Sequence, residues 1–297
     1  MNAKAAFQSL RIRATPLVLS GVAMAVSVAV HENAINWASA LFLMLTAVFL
    51  QFVSNLSNTL GDSLKGTDRA DREGKVYALQ SGELQIGDFK ILIGVCIALS
   101  CIFGLLMIYF SFGTLFSPHA IGFILLGVLA IIAAMRYTLG KNPYGYRGLG
   151  DIYVFLFFGL AVVSGGYFLC CNDPQIWSSV LPACAIGCFS VGVLNVNNIR
   201  DMKADAATRV TMAIRMGEKG SRVYQTVLIV LGWVLMLTWS AAFREDVTVW
   251  SFAYVLTLPL FIKHLVTVWK HSGSGLDAMV PLLSISTFLF SLMTLLG

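Results

Sequence analysis

Apolar residues arrive in long runs along this chain, each close to the ~20 residues that carry a helix across a bilayer. Nine such stretches stand out, roughly 14–31, 35–59, 89–110, 119–138, 151–171, 177–199, 222–243, 247–268 and 277–296. The pattern predicts a polytopic membrane protein rather than a soluble domain with an anchor. Polar residues concentrate in two longer segments, 61–90 and 200–222, while the connections around 32–34, 112–118, 172–176 and 244–246 are short. We therefore expect one membrane domain over residues 1–297, with no detachable soluble unit.

Composition agrees. The chain is 58% hydrophobic and 12% charged, with a mean hydropathy of +0.80, whereas soluble domains carry about 25% charged residues. Charge then sets the topology. Of the 20 Lys and Arg residues, all but Arg244 fall on one side when the loops are grouped by parity. That side holds Lys4, Arg11 and Arg13, then Lys65, Arg69, Arg72, Lys75 and Lys90, then Arg136, Lys141 and Arg147. It also holds Arg200, Lys203, Arg209, Arg215, Lys219 and Arg222, with Lys263 and Lys270. The positive-inside rule makes it cytoplasmic, with the N-terminus inside and the C-terminus outside.

The net charge of +5 is then topogenic and suited to anionic lipid headgroups rather than to nucleic acid. No small-residue cleavage site follows the first apolar stretch, so that span is expected to be retained. The six cysteines lie in or beside apolar spans, where Cys behaves as a small hydrophobe, and they suggest neither a disulfide framework nor a zinc site.

Two Asn-led acidic clusters close apolar spans on the cytoplasmic side: Asn58-Thr59-Leu60-Gly61-Asp62 through Asp68, and Asn197-Asn198-Ile199-Arg200-Asp201 through Asp205. They look like copies of a degenerate internal repeat, set about 140 residues apart. Asn197, Asp201 and Asp205 follow at i, i+4 and i+8, which stacks them on one helix face with ~6 Å per step. Asn58 and Asp62 repeat the first interval. Asp68 is off that face and is expected to swing in from the break at Gly66, with Asp71 a weaker candidate.

Carboxylates and amide oxygens at such spacing suit a hard cation, above all Mg²⁺, which completes its shell with water and substrate phosphates. We assign Asn58, Asp62, Asp68, Asn197, Asp201 and Asp205 as metal ligands, the four Asp being catalytic. Lys65, Arg72, Lys141 and Arg209 are assigned to diphosphate. A third segment, Tyr137 to Asp151, joins tyrosines to Gly, Lys and Arg; from it Tyr137, Tyr144 and Arg147 would flank an aromatic acceptor. Capping and loop solvation explain one acidic cluster but not two on the same side. A secondary transporter would place its charges at the midplane, whereas these spans are nearly charge-free inside, which favours an interfacial enzyme.

At these residues the chain resembles the UbiA superfamily of membrane prenyltransferases, which carry an Asn/Asp-rich motif in each of two cytoplasmic loops. Three stretches carry the resemblance: Asn55 through Asp68 and on to Gln80-Ser81-Gly82; Tyr137 through Phe158; and Asn195 through Gly217. The middle stretch and Asn198-Ile199-Arg200-Asp201 resemble the branch that acts on 1,4-dihydroxy-2-naphthoate in menaquinone synthesis. They argue against 4-hydroxybenzoate, homogentisate or haem as acceptor. Asn58-Thr59 stands where the family usually has Asn-Asp, and Gly74-Lys75-Val76-Tyr77 where it has Gly-Pro-x-Arg.

The resemblance implies an all-α bundle of nine transmembrane helices around a cavity open to the membrane. It implies Mg²⁺-dependent transfer from an all-trans polyprenyl diphosphate, with loss of diphosphate and CO₂. The sequence leaves prenyl chain length and oligomeric state open.

Overall fold

The computed structural model describes residues 2–32, 35–65, 79, 81–171, 174–243 and 247–297. Among these, nine helices are long and apolar enough to cross a membrane. They are α1 (Ala3–His31), α2 (Trp37–Leu64), α3 (Ile86–Phe112), α4 (Pro118–Arg136) and α5 (Gly150–Cys170), then α6 (Trp177–Asp205), α7 (Met212–Ala242), α8 (Val249–Lys270) and α9 (Gly273–Thr294). The protein is an integral membrane protein of helical build. Among the described residues its only extended pairing is a single bridge between Ile35 and Cys171.

The helices overrun the apolar stretches at their polar ends. The α2 helix continues to Leu64 and α6 to Asp205, and α7 starts at Met212 rather than near 222. Hydropathy records which residues prefer lipid, whereas a helix continues for as long as its backbone hydrogen bonds do. Both acidic clusters thus begin on helix ends. The Thr211 hydroxyl caps α7 by accepting from the Ile214 N–H at 3.3 Å. Gly217, at φ 69°, then breaks the helix before its membrane portion.

The α6 helix is the centre of the bundle: 78% of its apolar window is buried, against 11% for α4, whose Leu125, Val128, Leu129 and Ile132 face outward. The α2–α3 and α6–α7 pairs, each flanking one acidic cluster, pack most extensively. An aromatic cluster joins α6 to α9: Phe189 lies 4.9 Å from Phe261, Trp233 5.1 Å from Phe290 and Tyr254 4.8 Å from Phe290. All six cysteines are free.

With no water to satisfy them, backbone groups inside a membrane must find partners within the protein. Pro182 interrupts α6 and leaves the Ser178 carbonyl without its helical donor. The Trp239 indole N–H of α7 takes that place, at 2.7 Å. The α5 helix is π-helical from Phe155 to Gly165, and its Gly159 lies against the backbone of α6. A Cβ there would stand 2.7 Å from the Ala183 carbonyl oxygen and 2.8 Å from the Gly187 Cα. Small residues at such a crossing let two backbones approach and gain dispersion contacts.

Because neither of those backbone atoms can yield, Gly159→Leu should cost about 1–3 kcal/mol by overpacking. Thermal unfolding in detergent should show a midpoint lowered by several degrees, with Gly159→Ala in between. An unchanged midpoint for the Leu variant would refute the close crossing.

Candidate functional site

The basic end of the bundle brings three segments together. The first contact is made by a missing side chain: a Cβ on Gly61 would lie 2.6 Å from Thr138 Oγ1 and 2.9 Å from the Thr138 carbonyl carbon. Glycine therefore lets the Tyr137–Asp151 segment settle on α2. There the Thr138 hydroxyl donates to the Ser57 carbonyl at 2.9 Å and approaches Asn58 Oδ1 at 3.3 Å. The segment then makes one 3₁₀ turn, Tyr144–Arg147, and leaves it through Gly148 at φ 75°.

That turn aims Tyr146 at the first cluster. Its hydroxyl donates to Asp62 Oδ1 at 2.6 Å. The Lys65 ammonium stands 4.5 Å from the centre of the same ring, and the Arg209 guanidinium 5.8 Å from it. Arg209 comes from the turn after α6, where it pairs with Asp205 at 2.6 Å; the two side chains are 10% and 1% exposed. Two further bonds hold this turn to the middle segment. The Val210 N–H donates to the Tyr146 carbonyl at 3.1 Å, and Arg215 Nη2 donates to the Arg147 carbonyl at 2.9 Å.

One turn back on α6, Arg200 grips the other two oxygen donors of that face. Its Nε and Nη2 donate to the two Asp201 carboxylate oxygens, both at 2.8 Å. Nη2 also donates to Asn197 Oδ1 at 2.8 Å, and Nη1 lies 3.6 Å from Asp277 at the start of α9. Asn197, Asp201 and Asp205 thus share one helix, with Arg200 and Arg209 supplying the countercharge.

The tyrosines form a stack beside the carboxylates. Tyr137 meets Tyr144 edge-on at 5.3 Å, and Tyr144 lies flat on Tyr153 at 3.8 Å. The Tyr144 hydroxyl donates to the Ala133 carbonyl at 2.9 Å. Asp151, at the start of α5, and Tyr224 of α7 lie close enough to influence each other electrostatically.

Electrostatics follow from this crowding. Burial pushes the Tyr137 phenol up to about 12, helped by Asp62, Asp151 and Asp205 and opposed by Arg209. Burial likewise raises Tyr144, so both phenols stay protonated. Lys65 is lowered by burial against the pull of Asp62. Burial works against the charge of Arg209, but the Asp205 and Asp62 carboxylates outweigh it and hold the guanidinium charged.

Of the residues singled out in the sequence, the structure gathers Asn58, Asp62, Lys65, Tyr137 and Tyr144 with Asp205 and Arg209. Asn197 and Asp201 lie along the same α6 face. Lys141 and Arg147 are exposed, and the Arg147 carbonyl is engaged by Arg215. Asp68 and Arg72, with Arg69, Asp71 and Lys75, lie outside the described residues. Sequence reasoning gave no site role to Arg200, Tyr146, Thr138 or Arg215. Arg200 was within reach, since it follows Asn197 by three residues and adjoins Asp201. The pairing of Tyr146 with Asp62 spans 84 residues and carries no local signal.

Among the described residues, no three carboxylate, imidazole or thiolate groups stand close enough to hold a metal ion by themselves. The donors that do converge are hard oxygens. That chemistry fits magnesium arriving with a diphosphate, because the ion needs few protein ligands and takes the rest from water and phosphate.

The chain is also similar to known proteins. The sequence model of the UbiA prenyltransferase family matches residues 18–292. The 1,4-dihydroxy-2-naphthoate octaprenyltransferase of Escherichia coli (strain K12) is 35% identical over 257 residues, covering 86% of this chain and 82% of the relative. The apo structure of a UbiA homolog from Aeropyrum pernix K1 superposes with a TM-score of 0.70 at 17% identity, over 92% of this chain and 94% of that one. A UbiA homolog from Archaeoglobus fulgidus, solved bound to GPP and Mg²⁺, superposes with a TM-score of 0.65 at 16% identity, over 98% of each chain.

Removing one member of a buried ion pair strands the other. Arg209→Ala should therefore destabilise the protein by about 3–5 kcal/mol, and adding Asp205→Asn should recover most of that loss. A double-mutant cycle on unfolding in detergent measures the coupling, and additive effects would show that the pair carries no such energy.

Proposed function

The chain belongs to the UbiA prenyltransferase family, and on that premise we propose that it transfers a polyprenyl group from polyprenyl diphosphate to 1,4-dihydroxy-2-naphthoate. Diphosphate and CO₂ are lost, and demethylmenaquinol is formed for menaquinone biosynthesis. The observation that carries this reading is the meeting of Asp62, from α2, with Arg209 and its partner Asp205, from the end of α6, at one tyrosine. The name of the E. coli relative supports the choice of acceptor.

In this reading Asn58, Asp62, Asn197, Asp201 and Asp205, together with Asp68, would offer the oxygens that hold Mg²⁺. When bound there, the ion would supply positive charge that stabilises the departing diphosphate. Arg200, Arg209 and Lys65, with Arg72 and Lys141, take the remaining phosphate oxygens, Arg by bidentate contact and Lys as a mobile point charge. The allylic C–O bond breaks, and its electron pair leaves with diphosphate. Tyr137, backed by Tyr144, would flank the planar acceptor and stabilise the allylic cation, while Arg147 meets the acceptor at the rim. The ring carbon bearing the carboxylate bonds to the allylic carbon. Loss of CO₂ then returns an electron pair to the ring and restores its aromaticity.

The positive-inside rule supports placing the basic end, and with it the site, at the cytoplasmic face, with the N-terminus inside and the C-terminus outside. We read residues 1–297 as a single prenyltransferase domain lying in the lipid bilayer, with no nucleic-acid partner.

The test is prenyl transfer by purified protein in detergent with Mg²⁺ and farnesyl diphosphate, offering 1,4-dihydroxy-2-naphthoate and 4-hydroxybenzoate in parallel. Product from the naphthoate alone, abolished by EDTA, is expected. Asp62→Asn or Asp201→Asn should lower turnover by about 10²-fold or more while the protein still folds. Product from 4-hydroxybenzoate alone would replace the acceptor, and near-normal turnover in both variants would overturn the ligand assignment.

A further inference from the structure

We propose that Tyr146 is the positioning residue of this site: its hydroxyl orients the Asp62 carboxylate toward the cation, and its ring keeps Lys65 from collapsing onto that carboxylate. The proposal rests on the reading of the site as one for a metal-bound diphosphate.

The carboxylates of the site are not held alike. Asp201 and Asp205 are each met by a guanidinium, from Arg200 and Arg209. Asp62 is met by a phenol, whose O–H lies 2.6 Å from Oδ1. A guanidinium both orients a carboxylate and neutralises it; a neutral hydroxyl orients it and leaves its charge in place. With Tyr146 on one oxygen, the other is left open to a cation, and the carboxylate would enter binding already turned. Ordering a ligand through a fixed hydrogen-bond partner is a recognised determinant of metal affinity.

The ring does a second job. Lys65 follows Asp62 by three residues on the same helix end, a spacing that favours a local ion pair. Its ammonium instead stands over the Tyr146 ring, at 4.5 Å from the centre. The π face attracts a cation without neutralising an acid. Arg209 is drawn toward the same ring, at 5.8 Å, so one aromatic plane holds cations from both halves of the site.

Tyr146 is itself held from the far half. Its carbonyl accepts from the Val210 N–H at 3.1 Å, and the neighbouring Arg147 carbonyl accepts from Arg215. The residue is thus a strut: its backbone is tied to the α6–α7 turn and its side chain to the end of α2. Its length sets the gap that a metal–diphosphate group must fill.

The experiment compares wild type with Tyr146→Phe and Tyr146→Leu. The Phe variant keeps the ring and loses the hydroxyl. Its KM for Mg²⁺ in prenyl transfer should rise about 10-fold, with a much smaller fall in kcat at saturating Mg²⁺ and an unchanged thermal midpoint. The Leu variant loses the ring as well and should also raise the KM for farnesyl diphosphate. Mn²⁺ binding, followed by EPR on purified protein with inorganic pyrophosphate, should weaken in the Phe variant by a similar factor without any turnover.

Wild-type Mn²⁺ affinity and Mg²⁺ KM in the Phe variant would overturn the proposal. So would a parallel fall of kcat, both KM values and thermal stability, which marks a merely structural tyrosine. If wild type itself gave no Mg²⁺-dependent transfer, the prenyl-transfer reading would fall, while the Mn²⁺ comparison would still decide the role of Tyr146.

Discussion

A carboxylate buried at the end of an apolar helix has to be neutralised where it stands, because burying an unpaired charge costs several kcal/mol. Asp205 is 1% exposed, and Arg209 answers it from four residues on. That pair fixes more than a charge. It folds the turn after α6 back on the helix end, where the Thr208 and Arg209 N–H groups donate to the Asp205 carbonyl. Val210 is then carried onto Tyr146, and the middle segment is caught between the two acidic helix ends. Together with Arg215 on the Arg147 carbonyl, this pair helps fix the second cluster relative to the first.

The rest of the bundle tolerates irregular helices at both ends and in between. Pro182 in α6, the π-helical stretch of α5 and the break at Gly217 in α7 all disturb regular helical hydrogen bonding. Each is acceptable in a membrane only if the displaced groups find protein partners, and the Trp239 indole on the Ser178 carbonyl is the clearest case. The close crossing of α5 and α6 at Gly159 and Gly187 brings the start of α5, with Asp151 and the tyrosine stack, toward the polar end of α6. Packing deep in the membrane thereby bears on where the site residues stand.

The site was legible to different depths. Asn197, Asp201 and Asp205 could be placed together from spacing alone, because a helix makes i, i+4 and i+8 neighbours whatever surrounds it. Asn58 and Asp62 followed the same logic. That the two sets belong together follows in the sequence only from their likeness to each other, and the contact that joins them runs through Tyr146, a residue to which spacing gives no role. Tyr144 illustrates the limit from the other side. Its place in a tyrosine-rich segment suggested an open aromatic wall, yet its hydroxyl is spent on the Ala133 carbonyl and its face on Tyr153.

By itself the sequence determined the number of membrane helices, the gathering of basic residues at one end and the acidic helix faces. These depend on transfer to lipid and on helical period, both properties of residues taken a few at a time. Only the tertiary structure decided where the helices stop, which cation answers which carboxylate, and what spans the gap between α2 and α6. Those outcomes turn on contacts such as Thr138 against Gly61 and Tyr146 on Asp62, between atoms that only packing brings into reach.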